Sequence, residues 1–173
     1  FQNRALLSPT NVIVDEINAR VLESANSAGT KTYFSVDSAH TSSEGESSLL
    51  PLDFLHSLTP TGTPHHELKL APGCLLMLLR NLDVDIGLCN GVRAVVLATL
   101  PHVLDVLIIS GLRKGDRVYL LRMPLAPHNP DLQFVLCRRQ FLIKLAWAMT
   151  FNKAQGQTLS IVGLYLPSPV FAH

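Results

Sequence analysis

The chain has 173 residues, 47% of them hydrophobic and 16% charged, which is a length for one domain or two small ones and too much apolar material for a disordered tail. Its net charge of +1 conceals an asymmetry: residues 1–68 hold three Lys/Arg against eight Asp/Glu, and residues 69–173 hold eleven against five. That distribution permits binding to a polyanion and equally suits solvated surface charge, while the absence of any apolar run of ~18 residues excludes a helical membrane span.

In chain order, Arg4 to Leu7 reads as a short buried strand, and Ser8-Pro9-Thr10-Asn11 supplies a turn and a helix cap. Ile13, Ile17 and Val21, with Val14 beside them, predict a helix, with Asp15 and Glu16 in its first turn where the dipole favours them. Residues 24–48 are rich in Ser, Thr and Gly around a β-prone segment, Thr32 to Val36, and the polar stretch Ser42 to Ser48 is expected to be mobile. Pro51 to Leu58 predicts two turns of helix, ended by the Thr/Pro/Gly segment 59–64.

From Leu68 onward the character changes. Runs at Cys74 to Leu79, Val92 to Ala98, Val103 to Ile109, Arg117 to Arg122 and Leu132 to Cys137 predict strands, and Asn90-Gly91 is a hairpin signal because its turn needs positive φ. Such a set predicts a small antiparallel barrel or curled sheet. Leu142 to Met149 then predicts a strand, Phe151 to Gln155 a short polar stretch, and Leu159 to Leu166 a last strand. The fold class is therefore α/β with a β insertion looped out of it. Cys74, Cys89 and Cys137 are an odd, widely spaced set that suits a reducing compartment better than a disulfide framework.

The chemistry-bearing motifs are mostly negative. Neither G-x-x-x-x-G-K-S/T nor G-x-G-x-x-G occurs, so nothing here cradles a triphosphate by itself. Asp83 to Gly87 begins like a calcium loop, but the twelfth position is Ala94. His65-His66 and Cys74 lack a zinc spacing and read as surface histidines with a core thiol. No metal site is expected. The stretch Thr150 to Thr158 differs: it packs hydroxyls, amides and a cation between two apolar strands, which could serve phosphates. The same residues also read as a short helix with Lys153 in its last turn and Gly156 as its cap.

Together, LLSPTNVIVDEIN (6–18), PLDFLHSLTPTGTPHHELKL (51–70), GCLLMLLRNLDVDIGLCNGVRAVV (73–96), RRQFLIKLAWAMTFNKAQGQTL (138–159) and VGLYLPSPVFAH (162–173) resemble the petite-integration-frequency (PIF-type) ATP-dependent DNA helicases, in particular the branch carried by Helitron transposons. The resemblance implies the second of two RecA-like domains (the P-loop NTPase type), incomplete, made of residues 1–70 and 144–173, with residues 71–143 as an inserted small β-barrel of the Src-homology-three type. It implies that the phosphate-binding loop and the magnesium-binding Asp-Glu lie upstream, in an N-terminal RecA-like motor domain in cis, and that an arginine-bearing motif follows His173. Starting on Phe1, the sequence then reads as a piece of a longer protein.

By resemblance, Ser8, Thr10, Asn11, Thr150, Asn152 and Lys153 face single-stranded DNA, and Gln155 and Gly156 face the nucleotide cleft. Asn81, Asn90 and Gly91 form turns of the barrel, and Arg138 and Arg139 add to the basic groove; Phe151, where relatives often carry a small or β-branched residue, packs in the core or, if its ring is exposed, stacks a base, and Trp147 belongs to the core. The implied cofactors are ATP and Mg2+, held mostly by the other domain, and no catalytic residue falls within the chain. The implied settings are DNA repair, recombination and telomere maintenance, in the nucleus or mitochondrion, with no membrane partner. Two other readings stand beside this one: a non-enzymatic nucleic-acid-binding adaptor, and an inert transposon-derived remnant.

Overall fold

The computed structural model describes residues 3–25, 29–40, 50–127 and 132–167; the polar stretch Ser42 to Ser48 lies outside them. At its centre β1 (Arg4–Ser8) runs parallel to two strands from the far end of the chain, β12 (Ala148–Thr150) and β13 (Ile161–Leu164), in the order β12-β1-β13. Parallel neighbours need a crossover, and the chain leaves β1 through α1 (Asn11–Ser24). Thr10 is the helix cap, extended, its hydroxyl accepting the Ile13 N–H at 3.4 Å.

The buried stripe of α1 is Val14, Asn18 and Leu22, one residue further along than the expected Ile13, Ile17 and Val21, which are half-buried. Asn18 sets this phase. Its amide donates to the carbonyls of Leu145 and Ala148, both at 3.1 Å, and accepts the Ala148 N–H at 2.8 Å. Asp15 and Glu16 miss the first turn because the helix already begins at Asn11; Asp15 instead meets His65 at 3.2 Å.

The β-prone segment around Thr32 becomes two strands. β2 (Lys31–Phe34) pairs antiparallel with β4 (Glu67–Leu70), and β3 (Val36–His40) pairs with β10 (Val135–Gln140), which also pairs with β9 (Met123–Leu125). The short helix α2 (Leu52–Ser57) packs on β3, close to the expected 51–58.

The largest sheet has five antiparallel strands in the order β11-β5-β6-β7-β8, formed by β5 (Leu75–Leu78), β6 (Arg93–Thr99), β7 (Val103–Ile108), β8 (Arg117–Leu121) and β11 (Ile143–Leu145). Every residue of β5 is buried, as a continuous apolar run covered on both faces should be. Leu76, Leu78, Leu104, Val106, Ile108 and Phe141 lie at the heart of the main core, with Trp147 at its edge as expected.

Among the described residues this sheet does not close into the expected barrel: its outer strands β8 and β11 do not pair with each other. The strand expected at Leu132 to Cys137 forms slightly later, as β10, and joins β3 instead. The cause is Arg138, expected on the basic surface but fully buried and ion-paired with Asp37 of β3. Two smaller expectations also change. Asn90-Gly91 is a turn, with Gly91 at φ +88°, but it ends a long connection from β5 to β6 rather than a tight hairpin. The run Leu142 to Met149 is split by Ala146 and Trp147 into β11 and β12, which belong to different sheets.

Candidate nucleic-acid interface

From the end of β12 the chain enters the single turn α3 (Phe151–Ala154), with Lys153 next to its last residue. Gln155 leaves the helix extended, and Gly156 takes φ +79°, a left-handed cap that a side chain would strain. The Gly-capped helix and the cluster of polar groups are thus the same object. Asn152, Gln155 and Gly156 are exposed, and Thr150, Phe151 and Lys153 are half-buried.

Between this turn and the segments just before β6 and just after β7 lies an open cavity of about 640 Å³. The turn contributes Asn152, Lys153, Gln155 and Gly156; the far wall carries Asn90, Gly91, Arg93 and Lys114. Among the described residues, three cations and several amides line it and no Asp or Glu does. Its chemistry suits an anion with many acceptor oxygens. Arg93 is only 1% exposed; its guanidinium donates to the carbonyls of Arg4 at 3.0 Å and Ala146 at 3.2 Å, and burial lowers its pKa.

Two side chains of the turn reach across to Asn90 and Gly91. Lys153 Nζ donates to Asn90 Oδ1 at 2.9 Å. Gln157 Nε2 donates to the Gly91 carbonyl at 3.2 Å and back to the Lys153 carbonyl at 2.9 Å. Asn90 is itself fixed, because its N–H donates to Asn81 Oδ1 at 2.8 Å. The turn-forming reading of Asn81, Asn90 and Gly91 therefore covers only half of what they do.

The remaining expected contacts lie apart from the cavity. Thr10 and Asn11 are exposed at the start of α1, and Thr150 sits in register with Ser8 at the strand ends. Ser8 does not face outward: it is fully buried and its hydroxyl donates to the Tyr165 carbonyl at 3.1 Å. Arg139 is exposed, whereas Arg138 is buried and cannot line a groove. Lys144, which sequence reading missed, joins the two patches: its Nζ meets Asn11 Oδ1 at 3.5 Å. Burial lowers its pKa, Asp15 opposes that, and the nearby Lys153 cation adds to it.

Lys114, Arg93 and Gln157 were missed as well. Gln157 lies inside the Thr150–Thr158 stretch and could have been found there; Lys114 sits in a Gly-flanked turn whose spacing to Lys153 carries no signal.

Asp37, His56 and His66 bring three ligand-type atoms within 4.8 Å of one another. They do not fit a metal ion. Both Asp37 oxygens accept from Arg138, a metal cation would face that guanidinium, and the two imidazoles stack at 3.6 Å and 13°, so their in-plane lone pairs do not converge.

Residues 53–98 match the family model of the 2B domain of the DNA helicase Pif1. The ATP-dependent DNA helicase PIF1 of Xenopus laevis is 33% identical over 108 residues, which is 59% of this chain and 16% of that protein. Its Danio rerio counterpart is 35% identical over 105 residues, 57% of this chain and 15% of that protein. A structure of Pif1 helicases described as unwinding forked duplex DNA superposes on 98% of this chain and 34% of its own, with TM-score 0.69 and 23% identity. Bacteroides Pif1 bound to single-stranded DNA superposes on 93% of this chain and 34% of its own, with TM-score 0.65 and 23% identity. The Bacteroides protein in complex with ADP-AlF4 gives 0.62 over 94% of this chain and 34% of its own, also at 23% identity. The aligned part is about a sixth of the curated relatives' length and a third of the structural ones. What is shared is a segment: over it this chain is similar to the Pif1 DNA helicases and has the fold of the matching part of their structures.

Proposed function

We propose that the chain is the strand-gripping part of an ATP-dependent DNA helicase that translocates on single-stranded DNA. In this reading residues 1–70 and 144–173 belong to the second RecA-like domain, and residues 71–143 form its inserted β module. Asn152 and Lys153 hold the phosphate backbone, with Thr10, Asn11 and Thr150 extending the track beyond the cavity. Gln155 and Gly156 lie at the end of the same turn and face ATP and its Mg2+, both held mainly by an N-terminal motor domain in cis. Ser8 supports the strand end from inside. The relatives named above, as DNA helicases with single-stranded DNA and an ATP-like nucleotide among their ligands, support this reading.

The observation that carries it is the cavity, lined among the described residues by no Asp or Glu, where Lys153 and Lys114 stand beside exposed Asn152 and over buried Arg93. Contacts of this type read backbone rather than sequence, so binding is tolerant of base composition and falls steeply with salt. Fluorescence anisotropy of a labelled oligothymidylate checks this. The chain is expected to bind it at low salt, and Lys153→Ala to weaken binding about three- to tenfold and flatten the slope of log K against log salt by about one phosphate contact. Equal affinity and slope in wild type and Lys153→Ala would remove the proposed role of this turn.

A further inference from the structure

Lys153 offers the cavity a cation that is already occupied. Its ammonium donates to Asn90 Oδ1 at 2.9 Å, and Asn90 lies on the opposite wall, 63 residues away in sequence. The acceptor is a neutral amide oxygen, held in place because the Asn90 backbone is pinned to Asn81 at 2.8 Å. Both side chains border open space rather than core, so the bond can break without disturbing packing. A phosphate oxygen is a stronger acceptor for an ammonium than an amide oxygen is, since both partners are then charged.

We propose that Asn90 is a placeholder for nucleic-acid phosphate: its amide oxygen holds the Lys153 ammonium across the cavity in the empty state, and strand binding exchanges Asn90 for a phosphate oxygen on the same cation. This rests on the reading of Lys153 as a backbone contact. The second bridge survives the exchange, because Gln157 Nε2 uses the Gly91 and Lys153 carbonyls and not the ammonium. Gln157 therefore keeps the turn on the insertion while Lys153 changes partner. Asn90 acts as a positioning residue with a cost attached: it orients Lys153 into the cavity and competes with the ligand for it.

The competition has a sign that a simple contact does not. Asn90→Ala removes the acceptor and keeps the backbone N–H that Asn81 needs, so the turn is retained. Anisotropy titrations with a fluorescein-labelled oligothymidylate at fixed salt, on wild type, Asn90→Ala, Lys153→Ala and the double variant, with thermal melts to confirm equal folding, give the test. Asn90→Ala is expected to bind two- to fivefold more tightly than wild type, and the double variant to bind as Lys153→Ala does. Weaker or unchanged binding in Asn90→Ala, or a gain that persists in the Lys153→Ala background, overturns the placeholder. A Lys153→Ala variant that binds as wild type overturns the backbone reading of Lys153 itself, a separate result. Should Asn90→Ala melt lower, Asn90→Ser, which keeps a turn-forming side chain too short to reach the ammonium, repeats the comparison.

Discussion

Arg138 spends all of its donors inside the protein. Its Nε and Nη2 fork onto the two Asp37 oxygens at 2.6–3.1 Å, and the remaining N–H groups reach the carbonyls of Leu55, Leu58 and Pro64 at 2.9–3.0 Å. Burial alone would raise the Asp37 pKa, but the hydrogen bonds from Arg138 and Ser35 outweigh it and the net shift is downward. Arg138→Met leaves the buried Asp37 carboxylate with the Ser35 hydroxyl but no cation, removes the donor from the Leu58 and Pro64 carbonyls, and is expected to cost about 3–5 kcal/mol of stability. Arg138→Lys restores little of it, because a point ammonium cannot fork. Urea denaturation measures both; a midpoint within error of wild type for Arg138→Met contradicts this account. The role was partly legible. Strand alternation places Leu136, Arg138 and Gln140 on one face, and the apolar Leu136 marks that face as the inner one. Two adjacent arginines invite a basic-surface reading because that alternation is easily overlooked.

At the scale of elements, what local chemistry encodes was readable: the Thr10 cap, the α1 helix, the Gly156 stop and the strands β5 to β8 all lie where turn residues and apolar runs place them. What failed was decided by partners distant in sequence. The phase of α1 follows Asn18, a polar residue in an apolar stripe, which bonds the chain between β11 and β12 where it switches sheets. Asn18→Leu improves the apolar pattern and is nevertheless expected to destabilise by about 1–3 kcal/mol, because the Leu145 and Ala148 backbone groups lose their partner. Equilibrium unfolding of that variant decides it, a gain in stability being the contrary result. The break between β11 and β12 could not be read from a continuous β-prone run, since each half follows a different neighbour: β5 for one and β1 for the other.

Across the whole molecule, the candidate site was legible as one wall only. The turn at 150–158 announced itself by composition, whereas Asn90, Arg93 and Lys114 reach the same cavity from strands and turns that only the tertiary fold brings there. With no phosphate-binding loop in its 173 residues, the chain is expected to show no ATP turnover above blank, with or without an oligonucleotide; steady phosphate release that copurifies with it would contradict this.

Arg93 gives the arrangement a particular resistance. It ties β6 to β1 and to the chain between β11 and β12 through two carbonyls, groups that take up no proton in the ordinary range. The α2 patch is different. Burial, the neighbouring His56 and Arg138 together outweigh Asp37 and Glu67 to lower the His66 pKa, so its contribution is complete above about pH 6.5 and declines below it. The Asp37 contribution is complete above about pH 4 and is lost only as pH falls through its lowered folded value. Acid therefore sets an order of failure: the His66 contact first, the Asp37–Arg138 lock next, and the joint that frames the cavity last.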